Sequence, residues 1–202
     1  ASGLARVDLI GHSMGGAIST LLAAAFPERV NRLVLIEALG PLSRPVAQIA
    51  VDIRRAIEAR LKLDDKQLRV HPDRESARQA RMLAGGLSES AADCLLERAL
   101  APVHGGWVWR SDPRQTLPTP VRGTEEQYRT VLEAIRAPTL LVLAKPRTPF
   151  LDGPDAEARI VALRPQALHW LPGGHHLHLE NTAAVAAVVG DFLGVDVAIP
   201  PG

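Results

Sequence analysis

Two stretches of this chain hold residues that could do chemistry together. The first is "GHSMG", Gly11 to Gly15, with Ser13 at its centre. The second is "LPGGHHLHLEN" near the far end, with His175, His176 and His178 in one short loop. A serine hydroxyl is a weak nucleophile until a neighbouring base takes its proton, and an imidazole is the usual base at neutral pH. The G-x-S-x-G spacing has a steric reason. A serine at the apex of a tight strand-to-helix turn needs small residues two positions to either side, so Gly11 and Gly15 are expected to leave it room. In that turn the Met14 N–H points at a developing oxyanion, and the helix N-terminus adds positive potential. The competing reading is a glycine-rich strand-helix turn with an incidental serine. Three histidines with Glu180 also invite a zinc reading, but no HExxH motif or cysteine partner supports it. No metal ligand set and no cofactor are expected. His178 is read as a structural histidine on a helix cap.

The flanking pattern supplies the elements that must hold these residues. "ARVDLIG" is a short apolar run consistent with a buried parallel strand, and "GGAISTLLAAAF" continues as helix until Pro27. "VNRLVLIE" is the next strand. Residues 45–137 change to helical periodicity without strands, with Val46, Ile49, Ala50, Ile53, Ile57 and Leu61 on one helix face. Ser88 and Thr124 read as N-caps, the latter with Gln127 at capping-box spacing. "PTLLVLA", "DAEARIVAL" and "ALHWLP" restore strand, helix and strand before the final helix. Alternating strands and helices imply an α/β fold with a parallel sheet. The organisation expected is core from 1 to 44, a helical insertion from 45 to 137, and core again from 138 to 202.

Together, "GHSMGG" and the Gly-His-x-x-His-x-Glu pattern at Gly174, His175, His178 and Glu180 resemble the α/β-hydrolase fold, in its serine hydrolase and esterase branch. The resemblance implies His175 as the catalytic base, with His176 as its neighbour, and His12 is expected as a substrate contact. It leaves two positions for the acid. Most of the family carries it after the strand matching "PTLLVLA", where this chain has "AKPRTPFLD" and Asp152. Some members place a glutamate at the end of the strand after the elbow, where "LVLIEALGP" puts Glu37. Glu37 is favoured, giving the order Ser, Glu, His. The insertion resembles the family's cap, with Trp107, Trp109 and Tyr128 as its large aromatics. Their roles are substrate contact or packing. The fold implied is the C-terminal part of such a hydrolase, parallel strands with flanking helices and an inserted cap. Its first strands and the loop bearing the second oxyanion donor are expected to precede "GLARVDLIGHS".

Composition narrows the function classes. The 202 residues are 47% hydrophobic and carry a net charge of +1, with acids and bases interleaved as in "RRAIEARLKLDDKQLR". That is a solvated helix face and not the basic stripe nucleic acid requires. The single cysteine, Cys94, permits no internal disulfide and is expected as a core thiol. No segment has the apolar length of a membrane span, and the cytoplasm is the expected compartment. Two functions remain. One is a serine hydrolase acting on a small-molecule carboxylic ester or related acyl compound through an acyl-enzyme. The other is a non-catalytic hydrolase-fold module, or an inactive fragment, that binds a small molecule or a partner. An elbow strand without its neighbour is also expected to drive self-association through an open sheet edge.

Overall fold

The computed structural model describes residues 3–63 and 69–196. In chain order these form β1 (Val7–His12), α1 (Met14–Ala25), β2 (Val30–Ile36), α2 (Ile49–Leu61), α3 (Arg74–Gly85), α4 (Glu89–Ala99), β3 (Leu100–Val103), β4 (Gly106–Trp109), α5 (Glu125–Glu133), β5 (Thr139–Lys145), α6 (Pro154–Leu163), β6 (Ala167–Pro172), α7 (Leu177–Glu180) and α8 (Thr182–Leu193). They divide into two compact units. The first runs to Ser43 and resumes at Gly123; the second spans Arg44–Arg122.

The first unit is built on a sheet in the order β1-β2-β5-β6, every pair parallel. Its two central strands are apolar on both faces, and the two-residue strand period sorts their side chains into separate layers. Leu33, Leu35, Leu141 and Leu143 pack on one side with Ala23 of α1, Leu132 of α5 and Leu163 of α6. Val34, Ile36, Leu140 and Val142 pack on the other with Leu177 of α7 and Val185 of α8. Each such side chain contributes about 1.5–3 kcal/mol on burial, so these layers dominate the stability of the unit.

β1 is an edge strand among the described residues, and its apolar run is not buried: Ile10 is 55% exposed. Its helix α1 exposes Met14, Ile18, Leu21 and Leu22, and Phe26 just after it is exposed too. Helix α5 and Tyr128 belong to the first unit, although the helical pattern places them in the insertion. The Tyr128 hydroxyl accepts a hydrogen bond from the Gly123 N–H, and the Arg159 guanidinium lies over its ring.

One ion pair ties the first unit together where the chain leaves it and returns. Arg159 on α6 makes two hydrogen bonds to the Glu125 carboxylate, at 2.7 and 2.6 Å. It donates two more to the carbonyls of Leu39 and Pro41, at 2.8 and 2.7 Å. A guanidinium can satisfy four acceptors from one buried position, which lysine cannot.

The second unit is not purely helical. β3 and β4 pair antiparallel as a hairpin, turning at Gly105 and Gly106, both at positive φ. "LAPVHGGWVW" has the glycine pair and the β-branched and aromatic residues of such a hairpin, a signal hidden inside a long helical stretch. Trp107 exchanges backbone hydrogen bonds with His71, and Trp109 meets the His71 ring edge-on. The Ser88 and Asp73 side chains cap α4 and α3. The expected apolar face of α2 is not buried: Val46, Ile49, Ile53, Ile57 and Leu61 are exposed, and Asp52 and Ala56 are buried instead. Cys94 is exposed as well, contrary to the expectation of a core thiol. The buried face of α4 carries Ala91, Ala92 and Leu96, and a residue two positions from Ala92 and Leu96 points the other way.

Candidate active site

The turn between β1 and α1 holds Ser13 at φ 51° and ψ −118°, outside the regions that an L-residue prefers. Such a conformation costs about 1–3 kcal/mol and persists only where its surroundings enforce it. Two glycines permit it. A Cβ on Gly11 would lie 2.6 Å from the Gly16 Cα, and one on Gly16 would lie 2.3 Å from the Ala38 Cβ. A Cβ on Gly15 would meet nothing within 4 Å, so the close approach expected at Gly15 falls one residue later. The Ser13 N–H donates to the Ile36 carbonyl at 3.1 Å, carrying the β1–β2 pairing to the serine itself. Met14 follows as the first residue of α1, where amides have no partner within the helix.

Glu37 follows β2 directly. Its N–H still donates to the Val142 carbonyl, and the backbone then turns off at φ 49°. The carboxylate is 1% exposed and fully engaged. One oxygen accepts from the Ala144 N–H at 2.6 Å; the other accepts from the Thr148 hydroxyl at 2.9 Å and faces His175 Nδ1 at 3.3 Å. Burial by itself raises the Glu37 carboxyl, but the hydrogen bonds from His175, Ala144 and Thr148 outweigh it and hold the group below its ordinary value. It is therefore an anion at neutral pH.

The loop after β6 brings in His175. Gly173, at φ 144°, has no space for a Cβ against Leu177, and the Gly174 N–H donates to the Glu180 carboxylate at 2.9 Å. Glu180 thus anchors the loop, and Asn181 adds a bond to the Pro172 carbonyl. His175 Nε2 lies 2.8 Å from Ser13 Oγ. With an anionic carboxylate at Nδ1, that nitrogen carries the proton and Nε2 is left to accept from the serine. The Phe150 ring packs edge-on against the imidazole, with centroids 4.8 Å apart.

The structure therefore brings Ser13, His175 and Glu37 into one hydrogen-bonded line from three distant parts of the chain. It does not bring in Asp152, whose side chain is 60% exposed and lies 3.5 Å from Arg147. The segment after β5 instead supplies Thr148 and Phe150, which the sequence reading passed over. Threonine and phenylalanine in "AKPRTPFLD" match no catalytic pattern, so only contact with Glu37 and His175 reveals them. His12 Nε2 donates to the His175 carbonyl at 2.7 Å, and burial depresses its imidazole. His178 is pushed down to about 4, by burial first and then by His12, His176 and His175. Trp107 and Trp109 sit half-buried on β4 of the second unit. A groove of about 650 Å³ lined by Ala24, Pro27, Ile135 and Pro138 opens beside Thr139, at the start of β5. The three aligned residues follow strand ends instead, so that groove is apart from them. No helix of the described residues is long and apolar enough to cross a membrane.

Comparison with known proteins agrees with this architecture. A family model described as the alpha/beta hydrolase family matches residues 1–188. A serine hydrolase-like protein of Danio rerio is 32% identical over 197 residues, covering 93% of this chain and 60% of the relative. A hypothetical protein from Pseudomonas aeruginosa PAO1 has a solved structure that superposes with a TM-score of 0.87 at 39% identity, covering 95% of this chain and 69% of that one. A thioesterase domain from the curacin biosynthetic pathway superposes with a TM-score of 0.71 at 28% identity, over 92% and 65% of the two chains. The chain spans about 60% of the length of the Danio rerio relative. A parallel sheet, a strained serine at the elbow and a match over most of the chain agree: this protein belongs to the alpha/beta hydrolase family.

Proposed function

We propose that this protein is a serine hydrolase that cleaves carboxylic esters or related acyl compounds through an acyl-enzyme. The observation that carries the reading is the line Ser13 Oγ, His175 Nε2 and Nδ1, Glu37 carboxylate, at 2.8 and 3.3 Å. Ser13 Oγ attacks the acyl carbon while its proton passes to His175 Nε2. The carbonyl electron pair moves onto oxygen, where the Met14 N–H donates to the oxyanion. Collapse of this intermediate expels the alcohol, which leaves with the proton from Nε2. Water then repeats the sequence with His175 as base, releasing the acid and restoring Ser13. Glu37 holds the tautomer and stabilises the imidazolium without itself taking a proton.

Substrate choice is assigned to the inserted segment, with Trp107 and Trp109 as candidate contacts and His12 as a contact beside the elbow. The cytoplasm is the proposed compartment, since one cysteine needs no oxidising surroundings. The test is labelling with a serine-directed fluorophosphonate, followed by mass spectrometry of the digested protein. An adduct on Ser13 that disappears in His175→Ala is expected. An adduct on another serine, with Ser13 unmodified, would overturn the assignment. A protein that binds acyl compounds but never labels would instead be a binding module.

A further inference from the structure

Besides the imidazole facing Ser13, three others converge on this site. One ligand nitrogen from each of His12, His176 and His178 lies within 4.8 Å of the others. The rings of His12 and His178 are 4.1 Å apart, those of His12 and His176 5.3 Å, and those of His176 and His178 6.1 Å. His176 precedes α7 and His178 lies in its first turn, but His12 closes β1 on the other side of the elbow, so no local spacing motif joins the three. Two of the rings keep a nitrogen able to coordinate. His12 uses Nε2 as a donor to the His175 carbonyl, which leaves the lone pair on Nδ1. His178 Nδ1 is buried and has no hydrogen-bond partner among the described residues. A buried nitrogen left without a partner costs about 1–3 kcal/mol, and a cation bound at that nitrogen would remove the cost.

We infer that His12, His176 and His178 form a transition-metal site that takes zinc or a similar imidazole-binding dication and inhibits the hydrolase. Three imidazoles with an open fourth position suit zinc, and nickel and copper share the preference for imidazole. Zinc–nitrogen bonds of about 2.0–2.1 Å require the three rings to draw closer by small rotations. The inhibitory effect rests on the proposed roles of Ser13 and His175; the binding does not. His175 sits with its ring 4.9 Å from His12 and 5.1 Å from His176. A dication there opposes the positive charge that His175 must acquire as it takes the serine proton.

The experiment has two independent arms. In the first, protein stripped with a chelator is titrated with zinc alone by calorimetry, and imidazole nitrogens are followed by NMR in the unsubstituted protein. One zinc per chain is expected, with the resonances of His12, His176 and His178 moving together. His12→Gln and His178→Gln should each weaken binding about 100-fold, and His175→Gln and the exposed His104→Gln should retain it. Circular dichroism melts identify any variant that fails to fold, and the NMR arm needs no variant. Zinc binding that ignores both His12→Gln and His178→Gln, or resonance shifts confined to other histidines, would overturn the site. In the second arm, zinc should slow fluorophosphonate labelling of Ser13 at least tenfold, reversibly with chelator, and not in His178→Gln. Undiminished labelling at saturating zinc would overturn the inhibitory role alone. Absence of labelling without zinc would count against the hydrolase reading and not against the metal site.

Discussion

The Thr148 hydroxyl donates to the same Glu37 oxygen that faces His175, at 2.9 Å against 3.3 Å. That oxygen is therefore shared between a structural donor and the imidazole, and Ala144 holds its twin at 2.6 Å. Held by Ala144 and Thr148, the carboxylate presents a fixed oxygen to His175. The segment after β5, where most of the family carries its acid, supplies Thr148, which supports Glu37, the acid proposed here.

Substitution separates the two carboxylates. Glu37→Gln keeps the shape but presents a group that can donate to Nδ1 and so favours the wrong tautomer. Turnover of an ester should fall by about 10⁴-fold, as for the equivalent change in a serine protease triad. Asp152→Asn should leave turnover within about twofold, because its carboxylate meets Arg147 on the surface. Steady-state kinetics on both variants decides it. Equal losses would place Asp152 in the machinery.

The two elbow glycines after the serine should behave differently. Gly16→Ala drives a methyl group into Ala38 and should destabilise the fold by about 1–3 kcal/mol. Gly15→Ala meets no neighbour and should be tolerated. Urea denaturation measures both. Recovery of the Gly16→Ala loss by Ala38→Gly would establish that the clash is the cause.

Acid should weaken the fold partly through Glu125. The hydrogen bonds from Arg159 hold its carboxyl below the ordinary 4.5. A depressed folded-state value contributes stability above the unfolded value and loses it as pH falls through the folded one. Wild-type protein should therefore melt above Glu125→Gln at neutral pH, by about 2 kcal/mol, with the gap closing below about pH 4.5. Thermal melts across that range test this. A gap independent of pH would show that packing and not charge carries the effect.

The β1 edge should make the isolated 202-residue chain associate. Ile10 on the strand and Ile18 and Phe26 beside it are exposed, and the outer backbone of an edge strand offers unpaired donors and acceptors. Light scattering on the purified chain should report dimers or larger species, and Ile10→Lys should reduce them. A monodisperse monomer at high concentration would refute the prediction.

Local chemistry was legible in the sequence. "GHSMGG" announced a strand, a turn and a helix, and the close contacts at Gly11 and Gly16 are the reason glycine is needed there. The apolar runs announced β2 and β5, whose side chains need no partner to reveal a buried strand. His175 stood out through a family pattern. Three features needed the tertiary structure. Two carboxylates, Glu37 and Asp152, were open as the acid, and the order β1-β2-β5-β6 sets Glu37 against His175 while Asp152 meets Arg147. The supporting shell of Thr148, Phe150 and Ala144 carries no motif, since one of its contributions is a backbone amide that any residue could offer. His12 joins His176 and His178 across a separation that no spacing rule spans. Spacing encodes what one element presents on one face; which faces meet depends on strand order and packing, and there the sequence alone falls silent.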